Sequence, residues 1–76
     1  MLEIVKFNKS VYRYRSESDE IGLIYNLRYG DIIFIKGKTK IFIELLIEKN
    51  YLEININNPV ANYLYKNNII ICENGK

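Results

Sequence analysis

The chain has no tryptophan, no histidine and no glutamine, and it carries one cysteine (Cys72), one proline (Pro59) and four glycines. Without histidine there is no imidazole base, so Ser-His-Asp and Cys-His nucleophilic arrangements are excluded. A lone cysteine excludes an intramolecular disulfide within the 76 residues, and the lack of histidine removes a Cys/His zinc site. The glycines at 22, 30, 37 and 75 are scattered, so no glycine-rich phosphate loop exists. Uninterrupted apolar runs stop at four or five residues, too short for a membrane span, and no signal peptide is expected. These absences point to a binding module that needs no cofactor and no metal, and not to an enzyme.

What the chain does have is the composition of one small globular domain spanning residues 1–76, 49% hydrophobic and 26% charged. A domain of this size buries only about 60% of its unfolded surface, so its stability margin is thin. The single free thiol is at home in a reducing cytoplasm. The net charge of +2 is too small to announce nucleic acid. Its distribution is blocked. Lys6, Lys9, Arg13 and Arg15 stand against Glu3, then Glu17, Asp19 and Glu20 reverse the sign. Arg28, Lys36, Lys38 and Lys40 form a second basic block, and Glu44, Glu48 and Glu53 an acidic one. Such alternation reads as a solvated surface, and it also suits a basic groove for an acidic partner. Fourteen isoleucines and ten asparagines against one alanine inflate β propensity along the whole chain.

Residues 2–7 read as an extended arm with Leu2, Ile4 and Phe7 inward. After a polar break at 8–10, residues 11–15 alternate aromatic and cationic side chains, a half-buried strand with Tyr12 and Tyr14 inward and Arg13 and Arg15 in water. The apolar-free stretch 16–20 is a turn, residues 21–27 are a second strand, and 28–31 turn again at Gly30. Residues 31–36 form a third strand, apolar on both faces. This is a three-stranded antiparallel meander. For residues 39–50 a helix is favoured over a strand, with Ile41, Leu45 and Glu48 in line and Glu44 and Glu48 one turn apart. Residues 51–57 are a second short helix or, by their alternation, a strand. Asn58 before Pro59 is an N-cap with a first-turn proline, so a helix runs to about residue 67 with Val60, Tyr63 and Leu64 on one face. Residues 69–72 return as an extended segment before a polar tail.

Three strands followed by three short helices resemble the PqqD-like family, winged helix-turn-helix recognition elements for ribosomally made, modified peptides. The resemblance rests on residues 12–15 and 20–25 as the first two strands and 26–35 as the second hairpin with its turn glycine. Residues 39–46 are similar to the first helix, 52–54 to the second, and 60–64 with 68–70 to the third and its apolar exit. Lys36 stands where the family commonly has a capping asparagine, and 48–50 stand where it has an Asp-Gly or Gly-Gly turn.

The resemblance implies a non-catalytic carrier of specificity. It would bind the leader of a precursor peptide and deliver it to a modifying enzyme, such as a radical-SAM maturase or a leader peptidase. The implied fold is α+β, and an all-β SH3-like barrel is the alternative. A leader would add as a strand to the third strand. Asp31, Ile32, Ile33, Phe34, Ile35 and Lys36 would form the edge, with Tyr63, Leu64 and Lys66 as the opposite wall. An uncovered Ile/Phe edge invites pairing, with a partner or with a second copy as a homodimer.

Other readings of the same residues stand beside it. Arg13, Arg15 and Lys36, Lys38 and Lys40 are either a solvated face or a phosphate footprint for a small winged-helix DNA regulator. The candidate helices at 51–57 and 59–67 hold only Lys66 as a cation, which counts against that regulator. An SH3-like adaptor is a third reading. Glu44 and Glu48 are either the wet face of a helix or paired carboxylates, and the wet face is favoured. Cys72 has no cation beside it in sequence and reads as inert.

Overall fold

The computed structural model describes residues 2–73, so the polar tail lies outside the described residues beyond Glu73. The elements are β1 (Leu2–Phe7), β2 (Tyr12–Ser16), β3 (Ile21–Asn26), β4 (Ile32–Lys36), α1 (Gly37–Lys49), β5 (Leu52–Asn55), α2 (Pro59–Lys66) and β6 (Ile70–Cys72). They form an α+β fold with two antiparallel three-stranded sheets, ordered β5-β1-β6 and β2-β3-β4, and two helices.

The meander forms where alternation and turn chemistry agree. Tyr12 is buried and Tyr14 half-buried on the core side, while Arg13 and Arg15 are exposed. Between β3 and β4 the Asn26 side-chain oxygen accepts from the N–H groups of Arg28 (2.8 Å) and Tyr29 (3.0 Å), and Gly30 takes φ +77°. At the other turn the Ser18 hydroxyl accepts from the N–H of Glu20 and of Ile21. Gly22 is needed for a different reason. Tyr14 lies across it, and a Cβ at position 22 would stand 2.6 Å from Tyr14 Cε1.

Strand β4 runs into α1 without a loop. Gly37 makes that corner at φ +61°, with Lys36 as an N-cap that provides no side-chain hydrogen bond. At the far end Asn50 takes the left-handed conformation, φ 73°, that a glycine usually supplies. The helix expected from 39–50 is therefore present, two residues longer at its start. Its buried side is Lys40, Ile43 and Leu46. Ile41 is 66% exposed and Leu45 is also exposed, because they share their stripe with Lys38 and Glu48.

Three expectations are corrected. The helix implied for 51–57 is strand β5, with Leu52 and Ile54 half-buried and Glu53 and Asn55 exposed. The period-two pattern wins because β1 offers it a partner, in register Leu2↔Asn55 to Val5↔Leu52. There are thus two helices among the described residues, not three, and the SH3-like alternative fails at α1. The arm at 2–7 is instead the central strand of a sheet, pairing with both β5 and β6. Its buried residues are Val5 and Phe7, while Leu2 is 55% exposed.

Helix α2 begins as expected. The Asn58 side chain accepts from the N–H of Val60 (3.0 Å) and Ala61 (3.3 Å), ahead of Pro59. Its buried residues are Ala61 and Leu64, with Val60 half-buried and Tyr63 49% exposed. One core joins both sheets: Val5, Phe7 and Ile70 from one, Tyr12, Ile24 and Ile35 from the other, and Ile43, Leu46 and Leu64 from the helices.

Replacing Gly37 by Ala adds no clash, since no atom lies within 4 Å of the new Cβ. The substitution is therefore expected to lower unfolding free energy by about 1 kcal/mol through backbone strain alone, read as a lower urea midpoint with an unchanged slope.

Candidate functional site

Strand β4 lies at one edge of its sheet, with β3 on one side and no further strand beyond it among the described residues. Alternation divides its side chains. Ile35 is buried and Ile33, half-buried, packs against the core. Ile32 and Phe34 point the other way and stand 48% and 70% exposed. Register places Ile32 beside Tyr25 and Phe34 beside Leu23, giving an apolar strip across the outer face of the sheet. Arg15 sits over the Tyr25 ring at 5.9 Å from its centroid. Asp31 and Lys36 are exposed at the two ends of the strand.

The expected opposite wall is not assembled as the sequence suggested. Leu64 is fully buried, and α2, which carries the exposed Tyr63 and Lys66, packs on β6 and α1. The helix packed on β4 is α1, because the direct β4–α1 corner folds it back across the sheet. A hollow of about 470 Å³ opens at that corner, between Asp19 and Glu20 of the β2–β3 turn and Lys36, Lys40, Ile41 and Glu44. Ile41 was missed as a surface residue. The signal for it was its charged company on one helical stripe, Lys38 and Glu48.

At the inner end of this hollow Lys40 is buried, a rare place for a lysine. Its ammonium donates to Glu44 Oε2 at 2.8 Å, and Tyr14 Oη donates to the same oxygen at 2.5 Å. The Lys40 and Tyr14 hydrogen bonds hold the Glu44 carboxyl below its usual range. Burial, then the hydrogen bond to Glu44, pushes Tyr14 up to about 12. This trio ties β2 to α1 and leaves Glu44 committed to two donors. Burial and the nearby Glu3 push the Cys72 thiol up, away from the reactive thiolate. Among the described residues no group of three or more Cys, Asp or Glu side chains is placed to hold a metal ion.

The trio makes stability pH-dependent in two directions. Glu44 ionises more readily folded than unfolded, so its contribution is present above the ordinary carboxylate range and is lost as pH falls through it. Tyr14 keeps its proton folded, so stability declines as pH rises from about 10 to about 12. Urea midpoints across pH should fall less steeply on the acid side in Glu44→Gln and on the alkaline side in Tyr14→Phe.

Comparison with protein-family models, with curated proteins and with solved structures finds no match to this chain.

Proposed function

We propose that this chain is a non-catalytic peptide-recognition protein of the PqqD-like kind. It captures the leader of a ribosomally made precursor peptide as an added strand on β4 and delivers it to a modifying enzyme. The observation that carries this reading is the open β4 edge with Ile32 and Phe34 turned outward. A meander followed directly by a helix, over the residues on which the resemblance rests, also supports it.

In this reading the β4 main chain provides hydrogen bonds, and side chains of alternate leader residues lie beside Ile32 and Phe34. Ile33 and Ile35, on the core side, support the strand, and Leu64 is buried on α2, away from the leader. Asp31 and Lys36 fix polarity at the two ends, and Lys36 opens into the corner hollow where Ile41 offers a further apolar contact. Tyr63 and Lys66, on a helix packed elsewhere, suit contact with the modifying enzyme better than with the leader strand. A radical-SAM maturase or a leader peptidase would supply the chemistry.

The test is an amide NMR titration with the leader of a precursor peptide encoded beside this protein. Saturable shifts are expected at Ile32–Lys36. Phe34→Ala should weaken binding about tenfold, since Phe34 is largely exposed and its contribution is to the complex. An unresponsive β4, or shifts at Arg13, Lys38 and Lys40 on adding duplex DNA instead, would overturn the proposal.

A further inference from the structure

The sheet has a second open edge. Strand β2 lies opposite β4, with no strand beyond it among the described residues, and its surroundings differ from those of β4. Beside β2 is a hollow of about 390 Å³, walled by Tyr12 and Tyr14 of the strand itself, Phe7 of β1 and Ile47 of α1. It adjoins a second hollow of about 400 Å³ that shares Phe7 and Ile47 and reaches Asn50 at the end of α1. The two hollows share Phe7, Lys9 and Ile47, and their combined lining forms a trough that extends from Tyr14 of β2 to Asn50 at the end of α1.

The charge of this trough is one-sided. Its ionisable lining residues other than tyrosine are Lys6, Lys9 and Arg13, and no carboxylate lines either hollow. Lys6 pairs with Glu73 at 3.2 Å, both about half exposed. Lys9 and Arg13 make no ion pair among the described residues. The Arg13 guanidinium donates to the main-chain carbonyls of Lys9 and Tyr12, which draws it against the loop that carries Lys9. The rim is also anchored. Asn8 donates through its backbone N–H to the Ile69 carbonyl (2.9 Å) and through its side chain to the Asn68 carbonyl (2.8 Å). The Tyr12 hydroxyl donates to the Asn67 carbonyl at 3.1 Å. A ligand therefore meets a loop already ordered, with little entropy left to lose.

We propose that the β2 edge is a docking site for an extended acidic segment of a partner protein in which carboxylate and apolar residues alternate. The geometry of strand addition sets that pattern. Along β2, Tyr12 and Tyr14 line the core side and Arg13 and Arg15 the outer side. A strand added beside β2 places its own alternate residues on the same two sides. One set then enters the trough against Phe7 and Ile47, and the other lies beside Arg13 and Arg15. The exposed Arg15–Glu17 pair at 3.0 Å is weak enough to exchange for a partner carboxylate. A second copy of this chain is a poor occupant, since β2 against β2 brings arginines together. This site is independent of the leader reading, which uses β4.

The test uses the full chain, labelled with ¹⁵N, and an acetylated, amidated hexapeptide alternating Glu with Leu and Phe. Saturable shifts are expected at Tyr12, Arg13, Tyr14, Arg15 and Ile47, with a dissociation constant of about 1 mM or tighter. Lys9→Glu, on an exposed loop, and Arg13→Glu should each weaken binding about tenfold, with the rest of the amide spectrum retained. High salt should weaken it too. A peptide with Lys in place of Glu should not bind. Equal binding of that Lys peptide, shifts confined to Ile32–Lys36, or no saturable shift at several millimolar would each overturn the proposal. Because β2 and β4 amides are read separately, failure here leaves the leader titration at β4 to be judged by itself.

Discussion

Helix α1 is packed against β1, β3, β4 and α2, and through it two small sheets share one core. Ile43 and Leu46 are completely removed from solvent on its inner side. Both sheets put their buried residues into the one core that α1 joins. Truncating Leu46 would leave a cavity facing both sheets, the kind of change that costs about 2–5 kcal/mol. In a 76-residue protein that is a large share of the total stability. The Tyr14–Glu44–Lys40 trio adds a polar tie on the same helix, and Gly22 is what lets the Tyr14 ring reach it.

A meander held from one side by a helix leaves two edges open, and the chain treats them differently. Along β2 the outward side chains are Arg13 and Arg15, and cations on an edge discourage self-pairing. Along β4 they are Ile32 and Phe34, an apolar edge that gains by being covered. The two edges therefore present different chemistry, apolar at β4 and cationic at β2. Glu44 accepts hydrogen bonds from a tyrosine and a lysine, and burial, then Glu3, push the Cys72 thiol's pKa up.

The meander was legible in the sequence because its information is local. Tyr/Arg alternation, Asn26 and Gly30 at one turn and Ser18 at the other each act within a few residues. The Asn58–Pro59 cap was legible for the same reason. Residues 31–36 of the candidate site read as an edge strand, and the structure has 32–36 there, with Asp31 just before it. The wall built from Tyr63, Leu64 and Lys66 was not, because its position depends on where α2 packs, and no pattern inside residues 59–66 carries that.

Composition and periodicity by themselves determined which side-chain types are missing, the three meander strands and the start of α2, and they favoured a helix over a strand for α1. Those follow from side-chain inventory and from preferences that operate over one turn or one hairpin. Only the tertiary structure decided that residues 2–7 are a central strand, that 52–55 pair with them, and that Ile41 faces water while Lys40 is buried. The strand pairings turn on a partner far along the chain, and the side of α1 that is buried turns on how the helix lies against the sheets. Burial of Lys40 stands because its ammonium pairs with Glu44, which Tyr14 holds through a second hydrogen bond to the same oxygen, and β5 stands because β1 lies beside it.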